Sequence, residues 1–197
     1  MYRIISGRWK AKRISAPKNF TVRPTTDFAK EALFSILENR FDVDFASAAA
    51  LDLFAGIGSL SLELASRGCQ DVTSVELNPK HAAFITATAE QLDMRNQVQV
   101  QRGDVFDWLK KNKGRRTFSL ILADPPFSLE EAEYQQLINS LLKPGEFLTE
   151  NGVLVVEHQS RKIPAHPALL DTRKYGNVSF SFFRAEAAPA EELQDTL

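Results

Sequence analysis

The chain has 197 residues, a formal net charge of −1, 44% hydrophobic residues and one cysteine, Cys69. This length predicts one domain with enough apolar residues for a complete core. A single cysteine excludes an intrachain disulfide and a cysteine metal cluster, and it fits a reducing cytoplasm. The N-terminus has no signal-peptide pattern, and no apolar run approaches the ~18 residues of a membrane span, so we expect a cytoplasmic protein without a membrane segment.

The charges are distributed unevenly along the chain. Residues 1–24 contain seven basic residues and no acid, whereas residues 185–197 contain four acids and no base. A basic segment on a nearly neutral body indicates a polyanionic partner such as nucleic acid, although a solvated, mobile N-terminus has the same composition. We therefore predict a basic N-terminal arm at residues 1–25 and an acidic, flexible tail at residues 185–197.

The first elements are short. Residues 2–6 and 11–15 are β-like runs on either side of Gly7, and this pattern predicts a hairpin. Trp9 lies between the runs among basic residues, where it could stack on a base or pack onto the body. Packing is the commoner role of a lone tryptophan.

A regular alternation of elements follows. Thr25 or Thr26 can cap a helix, and apolar residues at helical spacing continue to about Arg40. The next predicted elements are strand 51–54, helix 59–67, strand 71–77, helix 79–93, strand 98–101, helix 105–112, strand 118–123, helix 129–142 and strand 152–157. Strands that alternate with helices predict a parallel sheet with helices on both faces.

The alternation ends after Glu157. Residues 173–175 and 178–183 flank a Gly-Asn pair and predict a closing hairpin at the edge of the sheet. The sequence therefore predicts an α/β fold for residues 26–184. Its sheet is mostly parallel and seven-stranded with an antiparallel edge hairpin, and an N-terminal hairpin and helix precede it.

Four successive strands carry an acid at or near their carboxyl ends: Asp52, Glu76, Asp104 and Asp124. Ligands of open parallel sheets bind at these ends. One such acid is more often a helix cap, but four at one edge indicate a binding site. Glu76 can accept hydrogen bonds from two ribose hydroxyls, and Asp104 can accept one from an adenine amine.

The glycines after the first strand, and the residues near them, limit which class of ligand the site can bind. Gly56 and Gly58 allow a ligand to approach the backbone, but Ser61 stands where a dinucleotide fingerprint has its third glycine. No lysine follows the glycines, so this is not a phosphate loop. Asp52 would repel a pyrophosphate and favours a cationic ligand. A nucleoside with a cationic end is S-adenosylmethionine.

The stretch Asp124-Pro125-Pro126-Phe127 follows the fourth strand. The Asp124 carboxylate and a carbonyl made rigid by proline can each accept a hydrogen from an exocyclic amine. Phe127 can stack on the ring that carries the amine. A stiff loop at the end of a strand is the alternative interpretation.

These motifs resemble the core of class I methyltransferases, and residues 124–127 resemble the amino-directed catalytic motif of that class. Further motifs narrow the resemblance to bacterial 16S rRNA guanine-N2 methyltransferases of the RsmD type. They are Arg3-Ile-Ile-Ser-Gly7-Arg-Trp9, Arg23-Pro-Thr-Thr-Asp27, Glu31-Ala-Leu-Phe34 and Lys174-Tyr-Gly176. The resemblance covers about residues 2–184. It departs from the family at Phe28 and Lys30, where members usually carry arginines, and at Ser61, where many have glycine.

The resemblance implies a Rossmann-like class I methyltransferase sandwich that transfers the methyl group of S-adenosylmethionine to the N2 amine of a guanine in 16S rRNA. The catalytic residues that it implies are Asp124, Pro125, Pro126 and Phe127. The implied cofactor-binding residues are Asp52, Phe54, Gly56, Gly58, Glu76, Leu77, Asp104, Val105 and Asp124. The implied RNA-binding residues are Arg3, Arg8, Trp9, Lys10, Arg13, Arg23 and Thr25. We expect ribosomal RNA or a small-subunit particle as the partner, no metal, and a monomer.

Three alternatives stay open at this point. An adenine-N6 nucleic-acid methyltransferase shares the catalytic motif, although a separate target-recognition domain would then be expected. A glutamine-N5 protein methyltransferase usually has asparagine in place of Asp124. A non-catalytic RNA-binding protein could use the same fold. The histidines have no ligand spacing for a metal, and we interpret the pair Glu157-His158 at a strand end as incidental.

Overall fold

A seven-stranded sheet forms the centre of the protein. The computed structural model describes residues 2–17, 19–20 and 25–184. The strands are β1 (Tyr2–Arg3), β2 (Arg13–Ile14), β3 (Ala49–Leu53), β4 (Asp71–Glu76), β5 (Val98–Arg102), β6 (Phe118–Ala123), β7 (Leu148–Gln159), β8 (Leu169–Tyr175) and β9 (Val178–Arg184). The helices are α1 (Asp27–Arg40), α2 (Ser59–Ser66), α3 (Pro79–Gln91), α4 (Val105–Asn112) and α5 (Glu131–Leu142).

The strand order in the sheet is β5-β4-β3-β6-β7-β9-β8. Strands β3 to β7 run parallel, and β9 is antiparallel to both β7 and β8. This arrangement confirms the predicted fold, including the antiparallel hairpin at the edge. The direction in which the chain adds strands reverses between β3 and β6, and such a reversal opens a crevice above the sheet.

The predicted elements are confirmed, with different ends for some of them. Strand β7 is longer than residues 152–157 because its last residues pair with β9, as in Glu157 opposite Phe180 and His158 opposite Ser179. Strand β8 begins at Leu169 because it also pairs with β9 over most of its length. Both extensions come from pairing with a distant segment, which local residue patterns do not reveal.

Two apolar layers cover the sheet. Helices α1, α2 and α3 pack on one face, where Phe34, Leu62 and Ile85 are buried. Helices α4 and α5 cover the other face, where Leu109 and Leu141 are buried. No helix among the described residues is long and apolar enough to cross a membrane.

The N-terminal hairpin is built into the first of these layers. Tyr2, Ile4 and Ile14 are buried in the same core as α1 and α2. At Gly7, with φ +80°, a Cβ atom would lie 1.8 Å from the carbonyl oxygen of Ser66, so only glycine fits against α2. The predicted hairpin is therefore present, and its inner face belongs to the main core.

A buried acid fixes the hairpin to α2. Glu63 is fully buried and accepts hydrogen bonds from the backbone N–H groups of Ile5 (2.7 Å) and Ser6 (3.0 Å). The Nζ atom of Lys30, also fully buried, lies 3.6 Å from this carboxylate, and Nε of Arg67 lies 2.9 Å from it. Charge and hydrogen bonding at Glu63 are thus supplied by the protein itself.

Candidate active site

A cavity of about 570 Å³ opens at the carboxyl ends of the parallel strands. It lies above the crevice between β3 and β6, where the fold favours a ligand. Five carboxylates line it, and no lysine or arginine is among its described lining residues. The acids are Glu76, Asp104, Asp124, Glu133 and Glu157. Such a wall favours a ligand with positive charge and hydrogen-bond donors, and it disfavours phosphates.

The loop after β3 forms one side of the cavity. Phe54 adopts φ 62°, and Gly56 follows with φ 57°; both residues line the cavity. At Gly58, with φ 76°, a Cβ atom would lie 2.9 Å from Cγ1 of Ile85, so this glycine serves close packing against α3. Of the two predicted glycines, Gly56 faces the cavity and Gly58 shapes the turn into α2.

Glu76, the last residue of β4, is held in place by backbone donors. Its Oε2 accepts a hydrogen bond from the N–H of Gly56 (2.8 Å), and its Oε1 accepts one from the N–H of Asn78 (2.8 Å). The carboxylate therefore joins two loops and has a defined orientation at the cavity wall. This geometry is compatible with the predicted binding of ribose hydroxyls.

Asp104 is both a helix cap and a lining residue. Its Oδ1 accepts hydrogen bonds from the N–H groups of Phe106 (2.9 Å) and Asp107 (3.1 Å) at the start of α4. The two interpretations of a strand-end acid, cap and ligand-binding group, are thus compatible at one residue. Leu77 and Val105, both predicted to bind cofactor, also line the cavity, and Leu77 is 63% exposed.

Asp52 lies elsewhere. It is buried between β3 and α2, it is not among the residues that line the cavity, and its Oδ2 accepts a hydrogen bond from the hydroxyl of Ser61. The pKa of Asp52 is raised to about 7: burial is the largest cause, the hydrogen bonds from Ser61 oppose the rise, and the negative charge of Glu76 adds to it. The structure thus places this carboxylate behind the glycine loop, and its predicted contact with the ligand stays a prediction.

Ser61 has a role that sequence reasoning missed. Its hydroxyl contacts both Asp52 and, at 2.7 Å, the hydroxyl of Ser74 on β4. The departure from glycine at this position therefore adds a buried polar link between α2 and the sheet. A serine three residues after Gly58 on a helix facing a buried acid is the signal that could have revealed it.

The four residues of the predicted catalytic motif come together at the end of β6. The N–H of Asp124 donates a hydrogen bond to the carbonyl oxygen of Leu53 (3.2 Å), which ties the motif to the neighbouring strand. Asp124, Pro125, Pro126 and Phe127 all line the cavity, and Phe127 is 37% exposed. An acceptor group, rigid carbonyls and an aromatic face thus share one wall.

None of the predicted RNA-binding residues that the structure describes is among the residues that line the cavity, and several have partners in the protein. Arg3 forms an ion pair with Asp27 (3.2 Å), and Arg8 forms one with Asp93 (3.5 Å). Trp9 is partly buried against the core, as expected for the packing alternative.

The remaining members of that set differ in exposure. Lys10 and Arg13 are exposed on the hairpin, and Arg23 lies outside the described residues. Thr25 is buried, and its hydroxyl donates a hydrogen bond to Oε2 of Glu157 (3.0 Å). Thr25 therefore contacts a residue of the cavity wall.

The two departures from the family arginines have opposite environments. Phe28 is 72% exposed, and its ring meets the ring of Tyr175 edge-on with centroids 5.9 Å apart. Lys30 is fully buried beside Glu63 and donates a hydrogen bond to the carbonyl oxygen of Arg3 (2.6 Å). At Lys30 the cation thus supports the hairpin, and at Phe28 an aromatic ring stands at the surface.

Four lining residues were not predicted as site residues: Phe106, Leu129, Glu133 and Glu157. Glu157 was noticed only as part of a Glu-His pair. Its partner His158 is buried and its Nε2 lies 2.8 Å from the hydroxyl of Ser181. Glu157 is the fifth acid near the end of a parallel strand, and this position in β7 was the available signal.

Comparison with known proteins adds a family match. The family described as "Conserved hypothetical protein 95" matches residues 2–184. "Ribosomal RNA small subunit methyltransferase D" of Haemophilus influenzae is 32% identical over 186 residues, which cover 92% of this chain and 93% of the relative. "Putative rRNA methyltransferase YlbH" of Bacillus subtilis is 33% identical over 157 residues, which cover 79% of this chain and 82% of the relative.

Solved structures agree with this match. "Putative methyltransferase yhhF from Escherichia coli" superimposes with a TM-score of 0.79 at 26% identity, and the match covers 95% of this chain and 99% of that protein. An RNA methyltransferase from Salinibacter ruber in complex with S-adenosyl-L-homocysteine has a TM-score of 0.63 at 16% identity, with 88% of this chain and 100% of that protein covered. The second likeness shows the fold alone.

Proposed function

Since the chain belongs to the Conserved hypothetical protein 95 family, the RsmD-type methyltransferases, we propose that it transfers a methyl group to the exocyclic N2 amine of a guanine in small-subunit ribosomal RNA. The chain is a methyltransferase, and S-adenosylmethionine is its cofactor. The finer part of the proposal is the acceptor: ribosomal RNA, guanine and its N2 atom. Relatives named for small-subunit ribosomal RNA support the ribosomal RNA as substrate. The choice of guanine and of its N2 atom rests on the resemblance of the sequence motifs.

The observation that carries the proposal is the charge of the cavity wall, with five carboxylates and no lysine or arginine among its described lining residues. S-adenosylmethionine fits this wall, because it has a sulfonium cation, an ammonium group, ribose hydroxyls and an adenine amine. When bound, it supplies an electrophilic methyl group. Glu76 would accept hydrogen bonds from the ribose hydroxyls, and Asp104 would accept one from the adenine amine. The backbone N–H bonds that orient both carboxylates support this assignment.

Residues 124–127 would act on the acceptor amine. An aryl amine is a poor nucleophile because its lone pair is delocalised into the ring. The Asp124 carboxylate and the Pro125 carbonyl would each accept a hydrogen bond from the amine and favour the pyramidal nitrogen whose lone pair is available for attack. One of the two amine protons would leave when the nitrogen gains the methyl group. Phe127 would hold the target base by stacking after the base has left its helix. Positioning and electrostatics suffice for this reaction, with no covalent intermediate on the protein.

The exposed basic side chains of the hairpin would contact the RNA backbone. Lys10, Lys12 and Arg13 are exposed on one short segment of the hairpin, and the hairpin is hydrogen-bonded to α2 through Ile5 and Ser6. Phosphate contacts of this kind orient an RNA without reading its sequence. The monomeric state, the absence of a metal and the cytoplasmic location stay predictions of the sequence.

The proposal is tested by mapping the product. Small-subunit ribosomal RNA and particles from a strain lacking the protein are incubated with the purified enzyme and methyl-labelled S-adenosylmethionine, and the modified nucleosides are identified by mass spectrometry. We expect N2-methylguanosine at one site. N6-methyladenosine, methylated protein or no transfer would each overturn the proposed acceptor.

The variant Asp124→Ala tests the mechanism in the same assay. We expect methyl transfer to fall by at least about 100-fold, since an acceptor that acts in the transition state is lost. Affinity for the cofactor, measured by calorimetry, should change by less than about threefold. Normal methylation by this variant would remove Asp124 from the mechanism.

A further inference from the structure

The carboxylate of Glu157 lies beside the predicted catalytic motif. In the register of β6 and β7, Ala123 is opposite Val156, so Asp124 and Glu157 are the next residues along two adjacent parallel strands. Both side chains line the same cavity, together with Pro125 and Phe127. Glu157 is only 6% exposed. A second acid therefore stands next to the acceptor group that we assign to the amine.

Glu157 is held in a defined position. The hydroxyl of Thr25 donates a hydrogen bond to its Oε2 (3.0 Å), and the hydroxyl of Tyr134 donates one to its backbone carbonyl (3.1 Å). Thr25 is itself buried next to the start of α1. A carboxylate has two oxygens with about four acceptor sites, so it can accept a hydrogen bond from a base in addition to bonds from the protein. The bond from Thr25 fixes one oxygen of Glu157 beside the cavity.

Guanine and adenine differ at the position next to the amine. Guanine presents the N1–H donor directly beside its N2 amine, so two adjacent donors face the same way. Adenine presents N1 as an acceptor beside its N6 amine. A pair of neighbouring carboxylates matches the two donors of guanine, and one of the pair would face the N1 lone pair of adenine. The second arrangement leaves buried acceptors opposed to each other, which sites of this kind reject strongly.

We propose that Glu157 selects guanine by accepting the N1–H hydrogen while Asp124 accepts from the N2 amine, and that Thr25 is a positioning residue that orients Glu157. This inference rests on the proposed function. It assigns the preference for guanine over adenine to a residue outside the 124–127 motif, which by itself fits either amine. Under the same proposal, Thr25 contributes to the selection of guanine only indirectly, because it orients Glu157.

The test uses an RNA substrate in which the mapped target guanine is replaced by 2-aminopurine. This base keeps the amine at C2 but carries an acceptor at N1. The wild-type enzyme should methylate guanine with a kcat/KM at least about 100-fold higher than 2-aminopurine. In Glu157→Gln, whose amide can donate to N1 and can still accept from Thr25, the ratio should fall to about tenfold or less. Glu150→Gln, an exposed change in the same strand, is the matched control and should keep the wild-type ratio.

Thr25→Val tests the positioning role. This variant removes the hydroxyl and keeps the shape, so the ratio should fall in the same direction by a smaller factor, about three- to tenfold. Thermal denaturation and cofactor affinity close to wild type in both variants show that the site is intact. Thr25→Ser restores the hydroxyl, and a ratio of kcat/KM for guanine to 2-aminopurine near that of the wild type in this variant supports the role in orientation. A ratio in Thr25→Ser as low as in Thr25→Val contradicts that role.

The outcomes separate the two proposals. A wild-type enzyme that makes no N2-methylguanosine overturns the proposed function and this inference with it. A wild-type enzyme that methylates guanine, with a ratio to 2-aminopurine that Glu157→Gln leaves unchanged, overturns the inference alone. A wild-type ratio near one also overturns the inference, because the N1 position is then not read.

Discussion

The acid under the N-terminal hairpin and four of the five cavity acids are buried or partly buried, yet their surroundings differ. Glu63 has its charge and its hydrogen bonds supplied from within, by Lys30, Arg67 and two backbone N–H groups of the hairpin. A buried charge that is paired in this way joins segments of the fold. It leaves nothing for a ligand to supply.

The cavity acids have no basic residue among their described lining neighbours. Glu76 and Asp104 accept backbone N–H bonds that orient them, but these bonds bring no full positive charge. Nδ1 of His81 lies 3.5 Å from Oε1 of Glu76. The comparison teaches that the structural acid is recognised by the buried cations beside it, Lys30 and Arg67, whereas the binding acids share a wall without lysine or arginine among its described residues.

The largest expected effect is on the structural side of this comparison. Lys30→Met removes one of the two cations beside Glu63 and leaves Arg67 as the other. We therefore expect the free energy of unfolding to fall by about 3–5 kcal/mol. Urea denaturation measures it. Lys10→Met, an exposed change on the same hairpin, is the control and should stay within about 0.5 kcal/mol of wild type. A loss below about 1 kcal/mol in Lys30→Met would mean that Arg67 compensates Glu63 by itself.

The next effect concerns Asp52, an acid that lies between the two regions. Burial raises its pKa from 3.8 to about 7, so the folded protein holds this proton more tightly than the unfolded chain does. The resulting contribution to stability is present at pH 4 and is lost as the pH rises through 7. Relative to Asp52→Asn, the free energy of unfolding of the wild type should fall by at most about 4 kcal/mol between pH 4 and pH 8.

Denaturation with urea at several pH values checks this prediction for Asp52. The control is Asp107→Asn, at an exposed position in the first turn of α4, for which no comparable fall is expected. A difference between the wild type and Asp52→Asn that is constant over this range would show that the carboxyl of Asp52 titrates near its ordinary value.

On the binding side, Glu76→Gln should weaken the affinity for S-adenosylmethionine by about 10- to 100-fold, because hydrogen bonds to a charged acceptor contribute about 1.5–3 kcal/mol. Calorimetry measures the affinity, and the free energy of unfolding should change much less than in Lys30→Met. Glu90→Gln, at an exposed ion pair with Arg95, is the control. Equal affinities in Glu76→Gln and wild type would place the ribose elsewhere.

The smallest expected effect is on RNA binding by the outer face of the hairpin. In a triple variant, Lys10, Lys12 and Arg13 are replaced by glutamine. The negative slope of log affinity against log salt concentration should become shallower by about 2, since each phosphate contact to single strands contributes about 0.7. Cofactor affinity should not change. Point variants are needed because removal of residues 1–20 would also remove Tyr2, Ile4 and Ile14 from the core. A salt-independent loss would make the hairpin purely structural.

Local patterns were sufficient for most of the fold. The order of strands and helices from Leu51 to Leu142 follows from residue periodicity and turn residues, because each element is specified by its own side chains. The observed ends of β7 and β8 differ from the predicted ones because they depend on pairing with β9. Pairing between segments far apart in the chain leaves no local signature.

The sequence by itself determined the parallel sheet, the acids at successive strand ends and the Asp124-Pro-Pro-Phe127 motif, because strand ends and prolines are local features. Only the tertiary structure decided that Asp52 turns into the interior, that Glu157 shares a cavity with Asp124 and that Thr25 donates a hydrogen bond to Glu157. The direction of a side chain and the neighbour across a sheet depend on register and packing between distant segments. The residues of a site can thus be found from the chain alone, but their division into supporting and ligand-facing groups cannot.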